Sequence, residues 1–258
     1  PVANMVLETQ RATLSPDYIH NYGRFSYLLA MMASESVTKP ISITAFAYTP
    51  EECLKIETTM GELSGIDKIL FCRELEVLQV TLAYRAGHPR LASRARVLVL
   101  DYRPAPQVRA HVYRLYVRYL VTQGLIFRVN RNTLEDVTQS LSITRGNPIW
   151  TAIHTLSHAF LARLPQVVGL EGTDFAEALS TTHDEFAIFD NSPGGLGGVE
   201  GAIDLNSGTL NPNYEFAVRD SYKCQLDCIK ACKACLFTDS CYMLNWDLDR
   251  RILIQLGW

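Results

Sequence analysis

Residues 41–48 (ISITAFAY) alternate apolar with polar or small side chains, the period of two that marks a strand with one buried face. Residues 76–84 (EVLQVTLAY) and 96–100 (RVLVL) read as further strands, and 67–71 (DKILF) as a short strand or helical turn ahead of them. His88-Pro89-Arg90 punctuates this region as a turn. Residues 185–190 (EFAIFD) form another strand. Helical patterns lie between these strands. An apolar run at 25–32 (FSYLLAMM) reads as a buried helix ending before Lys39-Pro40. Thr49-Pro50-Glu51-Glu52 carries helix-start chemistry, an N-cap hydroxyl, a proline in the first turn and two acids at the positive dipole end, which predicts a helix to about Met60 that stops at Gly61. Pro104-Ala105-Pro106 predicts a helix to Thr122 or Gln123 capped by Gly124, with Val108, Val112, Leu115 and Tyr119 on one stripe and His111, Arg114 and Arg118 on another. A further helix is predicted from Pro148 to about Leu164, and a closing helix over 247–256, where Leu248, Ile252 and Leu256 recur every four residues.

These elements predict an α+β protein of mixed strands and helices, with an N-terminal region over 1–147 and a C-terminal module over 148–258. A chain of 258 residues, 48% of them apolar, is long enough to bury an ordinary core. No run of about 18 apolar residues is available for a membrane span, and no charged-then-apolar leader opens the chain. Because it starts at Pro1 rather than Met, the chain is expected to be a processed product or the C-terminal part of something longer.

Five of the seven cysteines fall within 223–246: Cys224, Cys228, Cys232, Cys235 and Cys241. Thiolates at such spacings converge on one tetrahedral Zn²⁺, and the Cys232/Cys235 CxxC pair is the knuckle that supplies two ligands from one turn. The tightest set is Cys228, Cys232, Cys235 and Cys241, with Cys224 as the alternate ligand. Four thiolates saturate the ion, so this zinc is expected to be structural. An iron–sulfur cluster is the principal rival; a disulfide knot suits small secreted chains, and a redox CxxC has no need of three further cysteines. Cys53 and Cys72, read as unpaired thiols beside a thiolate cluster, point to a reducing compartment, hence the cytoplasm.

Net charge is −3, but its distribution is uneven. Between Arg85 and Arg131 lie ten arginines against a single acid, Asp101. Interleaved with Tyr84, Tyr102, Tyr113, Tyr116, Tyr119 and Phe127, they combine phosphate forks with flat faces for stacking, as single-strand binders do. The expected nucleic-acid-binding residues are Arg90, Arg94, Arg96, Arg109, Arg114, Arg118, Arg128 and Arg131. The competing reading pairs these arginines with acids elsewhere in the chain or with an acidic partner subunit.

His154 and His158, four apart on one helix face, have metal-ligand spacing, yet Thr155 stands where a zincin carries its general-base Glu. The loop 191–198 (NSPGGLGG) follows a strand and precedes a predicted helix from Val199, an arrangement that can cradle phosphate. It lacks the Walker lysine and hydroxyl, so a packed tight turn is the leading expectation. Lys223, Lys230 and Lys233 flank the cysteines, where they offset thiolate charge, touch phosphate or simply solubilise the turn.

The segments IHTLSHAFLARL (153–164), FAIFDNSPGGLGG (186–198) and ACKACLFTDSCYMLNWDLDRRIL (231–253), in that order, resemble a C-terminal zinc-binding module found behind the motor of MrfA-type DNA-repair helicases. They also resemble DrmB, the accessory subunit of DISARM anti-phage systems. The resemblance covers 148–258, reaches back weakly to residues 73–75 (REL), and leaves 1–70 uncovered. It implies a non-motor protein or domain that binds zinc beside a nucleic-acid translocase. The order of its blocks implies that His154 and His158 form a polar clamp with Asp190 or with the loop glycines Gly194, Gly195, Gly197 and Gly198. The expected function is a non-catalytic accessory subunit contacting DNA, single-stranded or at a junction, and a helicase-like motor. The alternatives are a protein-only scaffold and a metal-dependent nuclease or hydrolase built on His154, His158 and Asp190.

Overall fold

The computed structural model describes residues 40–86, 96–99, 102–105, 110–113, 116–144, 147–221, 223, 230–232, 234–238, 240, 241, 245 and 247–258. They belong to two compact units, one of Pro1–Thr44, Leu78–Tyr119 and Tyr242–Leu244, the other of Ala45–Val77, Leu120–Cys241 and Asn245–Trp258. The second unit therefore draws residues from both sides of the expected boundary at 147. The predicted helix at 25–32 lies outside the described residues.

In chain order the strands are β1 (Pro40–Ala47), β2 (Leu54–Ile56), β3 (Ile66–Ala86), β4 (Arg96–Val99), β5 (Tyr102–Ala105), β6 (Ala110–Tyr113) and β7 (Tyr116–Val129). Helices α1 (Arg131–Ser140), α2 (Pro148–Leu161) and α3 (Leu164–Val168) follow, then strands β8 (Phe175–Ser180), β9 (Glu185–Asp190), β10 (Ile203–Asp204) and β11 (Thr209–Leu210), and helices α4 (Pro212–Arg219) and α5 (Arg251–Leu256). The α+β class holds. In the main sheet the strands are hydrogen-bonded in the order β1-β3-β7-β9-β8, with β2 and β4 also on β3.

In the first unit, β4 pairs antiparallel with the end of β3, Ala83 opposite Val99, and β5 pairs with β6, Tyr102 opposite Tyr113. The expected helix from Pro104 is thus replaced by strands. The apolar stripe at helical spacing misled because the same stretch is dense in Tyr and Val, which favour a pleated surface. Along β7 burial alternates: Tyr119 and Val121 are exposed while Leu120 and Thr122 are buried, the period of a strand.

In the second unit, the predicted helix after Thr49 shrinks to a single 3-10 turn, Pro50–Glu52, and the chain continues as β2. Leu54 pairs with Phe71 and Ile56 with Ile69, and one step along this ladder Cys53 and Cys72 are joined by a disulfide. The reading of these two cysteines as unpaired thiols is corrected: the antiparallel register brings together residues 19 apart in sequence. The predicted strands at 67–71 and 76–84 are one 21-residue strand, β3.

Helix α2 starts where its sequence predicts. Pro148 occupies the first turn and the Asn147 side chain accepts from the N–H groups of Ile149 (3.0 Å) and Trp150 (3.2 Å). Almost every later residue of α2 is buried, including the polar Thr151, His154, Thr155, Ser157 and His158. A helix apolar nearly all round needs cover on all sides. It gets this from the β8–β9 hairpin beneath and the C-terminal tail above. The Phe127 ring stacks on Phe186 (4.6 Å) and meets Phe160 of α2 (4.2 Å), while Trp258 abuts Phe160 and donates to the Ser64 carbonyl (2.9 Å).

The tail is fixed to α2 and to the segment around Lys230 by polar contacts. The Asp249 N–H donates to Thr155 Oγ1 (3.0 Å), and the Arg250 N–H donates to the Lys230 carbonyl (2.8 Å). On the other side, the buried Glu215 of α4 accepts from Thr59 N (2.6 Å), Thr59 Oγ1 (2.8 Å) and Met60 N (3.0 Å), and pairs with Arg219 (2.9 Å). Arg219 also donates to the Gly61 carbonyl.

Candidate metal centre

The i, i+4 spacing on α2 places His154 and His158 one turn apart with ring centroids 4.4 Å apart, nearly perpendicular. Beneath them runs β8, whose alternation turns Phe175 and Glu177 to the same face. Glu177 Oε1 lies 3.0 Å from His158 Nε2 and 3.4 Å from His154 Nε2. Cys241, from the C-terminal loop, brings its Sγ to 3.4 Å from His154 Nε2. Both imidazoles are wholly buried and Glu177 and Cys241 nearly so. The four donor atoms lie within 4.8 Å of one another, the one such group of three or more among the described residues.

Supporting contacts orient these groups. His158 Nδ1 faces the Leu236 carbonyl at 2.6 Å; since a carbonyl only accepts, Nδ1 carries the proton and Nε2 offers its lone pair to the cluster. Ser157 Oγ donates to Glu177 Oε2 (2.6 Å), leaving Oε1 toward the histidines. The Asn245 N–H points at Cys241 Sγ (3.3 Å), and the Asn245 side chain is held by reciprocal bonds to the Thr238 backbone.

Without a metal the cluster is a buried knot of charges. Burial and the neighbouring imidazole push the His154 pKa down, but the Cys241 thiolate and Glu177 outweigh them and raise it to about 9. Burial also opposes the His158 cation, yet Glu177 and Cys241 hold its pKa well above the usual imidazole value. Burial favours a neutral Glu177, but the two histidines hold it well below the carboxylate range, and against the same burial they lower Cys241. Burying four charges is costly, and one divalent cation in place of the imidazole protons satisfies all four donors. Tetrahedral zinc with bonds of about 2.0–2.3 Å separates its donors by roughly 3.3–3.7 Å. The observed 3.0, 3.4 and 3.4 Å contacts are close to such edges. Two nitrogens, one oxygen and one sulfur suit zinc better than an iron–sulfur cluster, which is held mainly by cysteine thiolates.

The four-cysteine set is not brought together among the described residues. Cys224 and Cys228 lie outside them, and Cys241 faces the histidines. Cys232 and Cys235 form a tight turn in which the N–H groups of Cys235, Leu236 and Phe237 all converge on the Cys232 carbonyl at 3.1 Å, and the Cys232 N–H points at Cys235 Sγ (3.3 Å). This turn presents the Leu236 carbonyl to His158.

Asp190 is not the histidines' partner. Its carboxylate accepts from the N–H groups of Leu196 (2.7 Å) and Val199 (3.0 Å), so the Gly-rich loop folds its amides onto a side chain of its own. Burial pushes the Asp190 pKa up even though these amides favour its charge. Gly194, Gly195 and Gly197 all have positive φ (78°, 81° and 75°). A Cβ on Gly198 would sit 2.5 Å from the Phe175 ring. The loop is a packed turn, as expected, but it packs on Phe175 of β8 rather than on the His helix, and a 3-10 turn, Glu200–Ala202, replaces the helix predicted after it.

Among the arginines, Arg128 pairs with Glu185 (2.6 Å), which also accepts from the Tyr48 hydroxyl (2.7 Å). Arg131 pairs with Asp184 (2.6 Å) and donates to the Thr181 carbonyl (2.6 Å). Arg118 is exposed on β7. Arg90, Arg94, Arg109 and Arg114 lie outside the described residues, as does the side chain of Arg96.

Sequence reasoning missed Glu177. Its signal was an acid at an inward position of FAEALS, a strand left unread; a buried acid requires a partner. Ser157 and the Leu236 carbonyl were missed because orienting contacts leave no motif.

Fold and donors together define an α+β module closed around a buried candidate metal centre. Residues 156–236 match the family model described as MZB, the MrfA Zn-binding domain, a segment shorter than half the chain. Over that segment the chain resembles the MrfA-type zinc-binding module. A comparison with curated proteins gave no match. A crystal structure described as the DUF1998 helicase MrfA bound to DNA overlays with a TM-score of 0.44 at 13% identity, over 85% of this chain and 25% of that one. Likeness at that level carries no argument, and this chain spans a quarter of that protein's length. No helix among the described residues is long and apolar enough to cross a membrane.

Proposed function

We propose that this chain is a zinc-stapled, non-catalytic accessory module of a helicase-associated DNA-processing or anti-phage defence assembly, working beside a motor subunit and contacting DNA, single-stranded or at a junction. The observation that carries this reading is the complete burial of His154 and His158, the second of them inside the segment 156–236 that matches an MrfA Zn-binding domain and the first two residues ahead of it. A saturated metal with no path for substrate acts as a staple; a catalytic zinc keeps an open position. The donors are His154, His158, Glu177 and Cys241, with Ser157 and the Leu236 carbonyl orienting them.

Nucleic-acid contact falls to the arginine block. With about five phosphates neutralised, log K falls with log salt at a slope of roughly −3.5 for a single strand. A triple reversal, Arg109→Glu, Arg114→Glu and Arg118→Glu, is expected to weaken binding to a thymidine oligonucleotide and flatten that slope; unchanged affinity and slope would sink the assignment.

The protein-only scaffold has one observation in its favour: Arg128 and Arg131 are taken up by Glu185 and Asp184 of the same chain. Under that reading the chain binds its motor partner tightly and protects no DNA from nuclease. The hydrolase alternative needs Asp190 beside the histidines, whereas its carboxylate is engaged by the loop amides. Incubating labelled DNA with the pure protein and Mg²⁺, Mn²⁺ or Zn²⁺ should yield no cleavage.

A further inference from the structure

One turn before Thr155, on the side of α2 that meets the tail, a polar cavity of about 200 Å³ opens between the 142–144 loop, α2 and the C-terminal segment. Thr151 lies on its lining, only 4% exposed, and its Oγ1 has no hydrogen-bond partner. A buried hydroxyl left unpaired costs stability unless something enters to bond it. Ser142 and Thr144 add two further hydroxyls to the wall, and Lys230 and Arg251 add two cations.

The cations are held where they can act. Arg251 directs Nε and Nη2 at Asp249 (2.8 and 2.5 Å), which fixes the plane of its guanidinium and leaves Nη1 for a ligand. The Lys230 backbone is tied to the tail through Arg250, and its exposed ammonium makes no ion pair with another described residue. Asp247 is the single carboxylate on the lining; it is exposed at the rim, where solvent screens it.

We propose that this cavity binds a phosphate oxyanion, with Lys230 and Arg251 supplying charge and the hydroxyls of Thr151, Ser142 and Thr144 donating to its oxygens. Tetrahedral phosphate, which takes several donors from different directions, fits such a wall. The site is separate from the metal donors and from the arginine block, and does not depend on either reading of the protein's function.

The test is calorimetric titration of the full, zinc-loaded chain with inorganic phosphate in a phosphate-free buffer at low salt. Binding is expected to weaken about tenfold in Thr151→Val and in Lys230→Ala, each removing a bond to a charged ligand. It should tighten about threefold in Asp247→Asn, which removes the repelling charge. Thermal unfolding of Thr151→Val without phosphate should come at or above the wild-type temperature, because Oγ1 has no partner to lose and its unpaired burial is relieved; a fall would mark a structural role instead of ligand binding and count against the proposal. No binding by the wild type, or unaltered binding in both Thr151→Val and Lys230→Ala, overturns the proposal. A thymidine oligonucleotide that displaces phosphate assigns the site to a nucleic-acid backbone; failure to displace it assigns the site to free phosphate or a monoester.

Discussion

His154 Nε2 and Cys241 Sγ lie 3.4 Å apart although 87 residues separate them in sequence. This contact joins the C-terminal loop to the central helix, and Glu177 completes it from the sheet below. The cluster therefore ties three parts of the fold, so that a metal held there would be a folding element.

Cys241→Ser and His154→Ala should each lose the bound metal and lower the unfolding temperature, measured by metal analysis and calorimetry on the same samples. Ser157→Ala removes only the hydroxyl that orients Glu177 and should weaken zinc affinity about 10–100-fold with the fold intact, read by chelator competition. Retention of wild-type affinity in all three would place the metal elsewhere.

Glu215 gives a pH signature distinct from the centre. Burial raises its pKa, but the Thr59 and Met60 amides, the Thr59 hydroxyl and Arg219 outweigh this and hold it below the usual carboxylate value. A depressed folded-state pKa adds stability that is present above the unfolded value of about 4.3 and is lost as pH falls through the folded one. Glu215→Gln should therefore cost about 1–3 kcal/mol near neutrality and progressively less in acid, followed by urea unfolding across pH.

The Cys53–Cys72 bond closes a loop spanning 19 residues of sequence separation. Its reduction, or the double Cys→Ala variant, should lower stability by about 3 kcal/mol, read by thermal unfolding with and without reductant. Identical unfolding curves would exclude the bond from the native protein.

Gly198→Ala should destabilise the module by about 1–3 kcal/mol, since its methyl would press on the Phe175 ring and on Leu170. Phosphate or oligonucleotide binding per mole of folded protein should be unchanged, in keeping with a loop whose amides serve Asp190.

Where local pattern coincided with final environment, the sequence was a reliable guide. Alternation placed β1, the apolar runs at 96–100 and 185–190 placed β4 and β9, and Pro148 marked the start of α2. The i, i+4 histidines were legible as ligand candidates because helical spacing alone puts them on one face. The stretch after Pro104 was misread because its side chains satisfy a helical stripe and a pleated strand equally well, and only pairing with neighbouring strands chooses between them.

By itself the sequence determined the α+β class, the central helix with its two imidazoles, the glycine turn and the resemblance to an MrfA-type zinc-binding module. Tertiary structure decided which donors meet: Glu177 instead of Asp190, Cys241 beside His154, Cys53 bonded to Cys72, Arg128 and Arg131 turned onto acids of their own chain. Spacing along the chain encodes ligand geometry only within a single turn or helix. Donors contributed by a helix, a strand and a loop converge through strand register and core packing, which no local pattern records.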